Sequence, residues 1–414
     1  MIIKEIIKWL RIHYSKIINS IAFYPALIAI AFLVLSYAML QFDLSEVGKN
    51  MKSQWHFSLK DASTARTTAA TIAAGILSLT VFSFSMVMIL LNQAASNMSN
   101  RVLDQLIGNR FHQIVLGFYI GTIVYALFLL STIRDIDTGI YVPALSVYLL
   151  IGLTIIDVFL FIYFIHYITQ SIKYETIIQR VYDQTHQALK AYCTLKAPVS
   201  NFDQNVANYE LKATDSGYFQ GFNQKALLEL CKKYNWRIYF QHSVGSFVLK
   251  GTPILMIQHD TDITKEQAAA IMQSLNFYNG QPFDTNPYNG FRQLTEIALK
   301  ALSPGINDPG TAILSLHRLM DLLAYRLQHF PNPMLSDDQG TPRISLKEPD
   351  FVTIFETYLL PIWDYGKEDR LLRQELQKML LQLQICDTAG NNQKIIHLLQ
   401  EEIAQQMARL AVHF

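Results

Sequence analysis

Asp157 stands alone in a long apolar run, VPALSVYLLIGLTIIDVFLFIYFIHYI, and is the residue whose chemistry asks most of its surroundings. On a helix it lies roughly 21 Å from Pro143, within the hydrocarbon depth of a bilayer. A carboxylate there costs roughly 3 kcal/mol on insertion scales, so such residues face a cavity, a partner or an ion path. Its helical neighbours are Thr154 and Phe161. His166 falls on the opposite face, so the two do not form a proton relay on one helix. The plainer alternative is a neutral acid hydrogen-bonded to a neighbouring helix.

A second pattern is periodic. Thr64, Thr71, Ser78, Ser85, Asn92 and Ser99 recur every seven residues. Seven residues of a straight helix return to within about 20° of the same direction, so these groups form one slowly drifting stripe. Uncharged hydroxyls and amides on one face suit the lining of a water-filled path. They equally suit bonds to neighbouring helices or back to their own backbone. Gly117 and Gly121 make the small-x-x-x-small pattern that lets helices approach closely, and Gly75 with nearby alanines gives a similar start to the stripe-bearing segment.

The elements that position these residues follow from charge. Of the first 172 residues only 19 are Asp, Glu, Lys or Arg, against 48 of the remaining 242. Soluble domains carry about 25%. Four uncharged or nearly uncharged stretches are long enough to span: Lys16 to Asp43, Arg66 to Arg101, Arg110 to Arg134, and Asp137 to Lys173. Lys4, Lys8, Arg11 and Lys16 precede the first, which places the N-terminus inside and, after four spans, the C-terminal part inside too. Residues 1–17 carry Ile3, Ile6, Ile7 and Leu10 opposite basic residues, suiting an amphipathic interfacial helix rather than a cleaved signal. A plain start to the first span is the other reading.

The expected fold is an α-helical membrane protein: four transmembrane helices (18–172), a helical connector (173–200), a small α+β element (201–265) and a helical cytoplasmic domain (266–414). Trp236 to Gln258 alternates apolar and polar residues and breaks at Gly245 and Gly251, reading as two or three short antiparallel strands. Phe351 to Phe414 reads as two amphipathic helices split near Asp387 to Gly390. Between them, Ser303-Pro304-Gly305 breaks one helix, and Asp308 with Pro309 starts the next. The free N–H groups there suit either an anion or a tight helix–helix connection.

Other chemistry is not expected. There is no Walker loop, dinucleotide fingerprint, nucleophile elbow or zinc-protease motif, so no enzyme and no cofactor are read. His259-Asp260-Thr261-Asp262 has metal-ligand residue types but reads as a solvated loop, leaving no metal site. Three distant cysteines form no ligand pair and suit a reducing compartment. A net charge of +1 without a basic block gives no reason to expect nucleic acid.

The run ALKALSPGINDPGTA, with Ser303, Pro304, Gly305, Asn307, Asp308 and Pro309 at its centre, resembles the signature of bacterial membrane proteins grouped as domain-of-unknown-function family 2254. So do DASTARTTAATIAAGILSLTVFSFSMVMI, QIVLGFYIGTIVYALFLLSTIRD, FIYFIHYI, and GYFQ with VGSFVLKGTPI; Gly310 departs from the expected helix-favouring residue. The resemblance implies a four-span inner-membrane protein with a cytoplasmic domain. Two functions are then expected in competition. One is an oligomeric, channel-like protein with Thr71, Ser78, Ser85 and Asn92 on the path and Asp157 tuning it. The other is a non-conducting scaffold or sensor whose inner domain binds a protein or small ligand.

Overall fold

The structure, a computed structural model, describes residues 22–54, 59, 61–97, 110–133, 142–199, 207–259, 262–278 and 286–411. The interfacial helix expected over 1–17, and Ser99 of the stripe, lie outside the described residues. The chain divides into two compact units, Met1–Thr176 and Ile177–Phe414.

The first unit holds α1 (Phe23–Leu44), a short α2 (Glu46–Gln54), α3 (Ala62–Asn97), α4 (Arg110–Thr132) and α5 (Ala144–Ser171). The four long ones are apolar and long enough to cross a membrane. Helix α4 packs against each of the other three and buries the largest share of its length. Its approach to α1 runs over two glycines. A Cβ at Gly117 would stand 2.5 Å from Ile28 Cδ1 and 3.2 Å from Pro25 Cα, and one at Gly121 2.7 Å from Phe32 Cγ. Lipid tails give helices no hydrophobic reason to associate, so close backbone approach supplies the dispersion contacts instead.

One rim of this bundle is held by side chains that complete helix ends. Asp61 accepts from Ser63 N (3.2 Å) and Thr64 N (2.8 Å) at the start of α3. Arg66 donates through Nε (3.3 Å) and Nη2 (3.1 Å) to the Ile133 carbonyl beyond α4. At the start of α5, Pro143 supplies no side-chain cap, and the buried Asp43 of α1 takes its place. Its carboxylate accepts from Leu145 N (3.3 Å), Ser146 N (2.8 Å) and Ser146 Oγ (2.6 Å). Asp43→Ala is therefore expected to cost about 2 kcal/mol, as for the loss of a charged cap. Asp43→Asn should lose less. Unfolding in graded denaturing detergent measures both, and an Ala variant as stable as wild type would refute the capping role.

The second unit holds α6 (Tyr174–Tyr192), which begins just before the division, β1 (Tyr209–Lys212), β2 (Gly217–Phe222), α7 (Gln224–Tyr234), β3 (Arg237–Phe240), β4 (Phe247–Val248), β5 (Pro253–Gln258), α8 (Lys265–Ser274), β6 (Leu275–Tyr278), α9 (Tyr288–Leu302), α10 (Pro309–Gln328), β7 (Met334–Ser336), β8 (Pro342–Ser345), α11 (Phe351–Tyr358), α12 (Leu360–Gly366), α13 (Arg370–Cys386) and α14 (Gln393–Ala411). Helices α7, α8, α10, α11 and α13 each begin after Asn223, Thr264, Asp308, Asp350 or Asp369, whose side chain accepts from the N–H three residues on.

The strands form two sheets, β1-β5-β3-β8-β7 and β4-β2-β6. All pairings are antiparallel except β3 with β8. The strands expected within Trp236 to Gln258 are β3, β4 and β5, and the sheets draw further strands from outside 201–265. Strands β6, β7 and β8 come from the stretch read as helical, and β8 joins in parallel. With Pro342, Arg343 and Ser345 around Ile344, β8 has no two-residue period to read. It is a strand because β3 offers it a buried edge. The two helices expected after Phe351 are four, broken also between Tyr358 and Leu360 ahead of Pro361, and at Lys367 to Asp369.

Candidate functional site

The polar groups of the membrane bundle divide into an outer set and an inner set. Thr64, Thr71, Ser78, Ser85 and Asn92 are all exposed along α3, while Ala65, Ala69, Ile76 and Ser83 of the same helix are buried. From Thr64 to Ser85 the stripe runs about 32 Å, the depth of a bilayer core. Ser78 Oγ donates to the Ala74 carbonyl (3.0 Å), which lowers the cost of exposing its hydroxyl to lipid. Ala70, Ala74 and Gly75 share the exposed face near the start of α3, and a Cβ at Gly75 would meet nothing within 4 Å. Further along, Val81, Phe82, Phe84, Met88 and Ile89 flank the stripe. The exposed faces of α1 and α5 differ. They present Leu27, Ile30 and Val34, and Ile156, Phe159 and Ile162.

Asp157 belongs to the inner set. It is fully buried, with Thr122 and Tyr119 of α4 beside it, and Tyr119 in turn neighbours Ser83 of α3. Ser83 lies about 140° around α3 from Ser78, so the buried side of that helix, towards Tyr119, is not its stripe. The buried acid and the exposed stripe therefore do not share a surface of this chain. A position every seven residues fixes a direction on a helix but not which neighbour occupies it.

Ser83 Oγ bonds to the Leu79 carbonyl (2.8 Å). Both Asp157 oxygens, Thr122 Oγ1 and Tyr119 OH are buried and meet no well-formed hydrogen-bond geometry, although Asp157 lies within reach of Thr122 and Tyr119 within reach of Ser83. Buried polar atoms are almost always paired, so open ones gathered from two helices call for an explanation. Carboxylate and hydroxyl oxygens converging in hydrocarbon can hold a proton or a small cation. Sequence reasoning missed Ser83, Tyr119 and Thr122. A signal existed: His112, Val115, Tyr119, Thr122 and Ala126 follow a 3–4 spacing that marks the inner face of α4. His112 Nε2 and Gln113 Oε1 also lack partners, and the His112 ring meets Phe164 edge-on with centroids 5.6 Å apart. His166 is exposed.

The family-motif residues form a tight connection. Ser303 O accepts from Ile306 N and Asn307 N (both 2.9 Å), Asp308 N donates to Ala301 O (2.8 Å), and Asn307 takes a left-handed φ of 49°. Asp308 accepts from Thr311 N (3.1 Å) and Thr311 Oγ1 (2.6 Å). The start of α10 thus carries its own carboxylate where an anion was one of two expectations. Pro304 and Gly305 lie in the turn, Pro309 opens α10, and a Cβ at Gly310 would meet only Asp308 Oδ1, at 3.3 Å. Among the described residues no three His, Cys, Asp or Glu side chains cluster to hold a metal. His259 is tied to Asn208 through its backbone, with N to Oδ1 3.1 Å and O to Nδ2 2.8 Å.

Comparison with known proteins adds relatives. A family model described as "Predicted membrane protein (DUF2254)" matches residues 18–382. Uncharacterized protein Mb1321c of Mycobacterium bovis and uncharacterized protein Rv1290c of Mycobacterium tuberculosis are each 26% identical over 316 residues, covering 72% of this chain. The chain spans 59% of the length of these relatives. No solved structure matches.

Proposed function

The chain belongs to the DUF2254 family of predicted membrane proteins, and from that premise we propose that it is an oligomeric, channel-like protein of the bacterial inner membrane, with both ends of this chain in the cytoplasm. Several copies stand around an axis with the α3 stripes inward. One observation carries this reading: Thr64, Thr71, Ser78 and Ser85 stay exposed through a bilayer depth, where the exposed faces of α1 and α5 at mid-span present Leu27, Ile30, Val34, Ile156, Phe159 and Ile162. Four helices are too few to enclose water, so a path needs neighbours. The polar half near Thr64 forms a mouth, and Phe82, Phe84 and Met88 form a hydrophobic constriction. Asp157 acts from inside the bundle, beside Thr122 and Tyr119 of α4. No catalytic step, cofactor or nucleic acid enters this reading.

The test uses the full chain in its own membrane. With Cys386→Ser as background, Ser78→Cys is expected to cross-link efficiently between copies, and Val34→Cys on α1 much less. Purified protein in liposomes should pass ions, and Ser78→Phe should block them. Equal cross-linking at both positions together with no flux at any pH or gradient would remove the channel. The second reading, a non-conducting scaffold or sensor, is supported by the 242 residues that follow the spans.

A further inference from the structure

Asp157 sits halfway along the inward face of α5, with none of its surface exposed. Leu150 and Leu153 precede it on that face, and Phe164 and Ile168 follow. On α4, Val115 and Ala126 stand on either side of Tyr119 and Thr122 in the same way. These apolar residues belong to two packed clusters, one with Leu150 and Leu153 and one with Phe164 and Ile168. The acid is thereby walled off from both ends of the bundle.

No cation stands near it. Helix α3 carries Arg66, which is spent on the Ile133 carbonyl and lies roughly 25 Å along the helix from Ser83. Helix α4 carries Arg110 and His112, roughly 13 and 10 Å along the helix from Tyr119. His166 of α5 is exposed and roughly 14 Å further on. Asp43 of α1, followed by the charged residues of α2, belongs to the rim where α5 starts, roughly 20 Å away. The titratable group beside Asp157 is the Tyr119 phenol, while Tyr125 donates its hydroxyl to the Ser146 carbonyl (3.2 Å) towards the start of α5.

A carboxylate in hydrocarbon with no counter-charge is neutralised, either by a metal cation or by a proton. A divalent cation takes six or more oxygens. Asp157 brings two, and Thr122 and Tyr119 one each. The nearby Ser83 hydroxyl is spent on the Leu79 carbonyl (2.8 Å). A proton needs one oxygen, and the O–H it makes gains a donor for a neighbouring hydroxyl oxygen. Thr122 stands within reach to accept it.

We propose that Asp157 is a proton-binding site: the closed bundle holds it as the neutral acid, its O–H shared with Thr122, and the proton exchanges with water only when α4 and α5 part. The site lies within one chain and rests on the bundle spanning a membrane, so it stands apart from the α3 stripe and any path between copies. The test is infrared spectroscopy of the full chain in nanodiscs at neutral pH, wild type minus Asp157→Asn. A carboxylic-acid carbonyl band is expected in the wild type and lost in the variant. Asp157→Leu should lose it too, which keeps the test intact if the Asn variant folds poorly. In heavy water the band is expected to shift over minutes to hours, as sealed groups exchange by local opening. A shift complete on mixing would overturn the seal. A carboxylate band in place of the acid would overturn the proton. If that carboxylate became an acid only when sodium chloride was replaced by choline chloride, the occupant would be sodium.

Discussion

A Gly290→Ala chain is expected to enter the membrane normally and yet lose much of the stability of its C-terminal unit. Helix α9 crosses α6 at this glycine. A Cβ there would overlap Thr185 Oγ1 and stand 2.6 Å from its Cβ and 2.7 Å from its Cγ2. Thr185 has little room to turn away, because its hydroxyl donates to the Val181 carbonyl (2.6 Å). The next residues inward, Phe291 and Leu294, are fully buried, so separating the helices opens the core. Overpacking usually costs about 1–3 kcal/mol, and more where backbone must move, against a total of about 5–15 kcal/mol. A loss of at least about 3 kcal/mol is expected here. Thr185→Ala should rescue only part, since its Cβ remains in the way, and Thr185→Gly nearly all. Thermal unfolding followed by limited proteolysis reads the effect. A Gly290→Ala melt that overlays wild type would refute the close crossing.

Asp157→Leu is expected to do the reverse, stabilising the bundle while altering its function. The wild-type carboxylate is buried and closes no well-formed hydrogen bond, with Thr122 only within reach of it. Replacing it removes a residue that costs about 2.5–3.5 kcal/mol at mid-membrane, so a gain of about 2 kcal/mol is expected after repacking. Asp157→Asn should gain less, because its amide also needs partners. Unfolding in mixed micelles gives the stability, and liposome flux gives the function. If Asp157→Leu proves less stable than wild type, the acid is making an interaction worth more than its insertion cost. A residue that burdens the fold is kept for what it does.

How much of this the sequence could tell depends on whether each feature is local. The four spans were legible because length without charge is a property of the segment itself. The break at Ser303 to Pro309 was legible because Asp308 caps and Pro309 starts helices wherever they stand. Strand β8 was not, since Ile344 pairs with Ile238, more than a hundred residues earlier. Nor was the division of polar residues in the bundle. Ser78 and Ser83 sit five positions apart on one helix, yet one is exposed and the other is buried beside Tyr119. Periodicity gave the angle between them, and only packing decided which direction was inside.

The cap that Asp43 makes on α5 bears on how the protein is made. The carboxylate and the backbone N–H groups it holds are 102 and 103 residues apart. A polytopic chain is threaded into the bilayer from its N-terminus, so the last span emerges with a bare first turn and Asp157 still unshielded. Only the second is mended by the neighbour just synthesised, since Tyr119 and Thr122 lie on the third span; the cap waits for the first. Biogenesis of the bundle therefore ends in a single closing step in which the last helix is retained or lost. Until then the unassembled span displays a marker that membrane quality control can read.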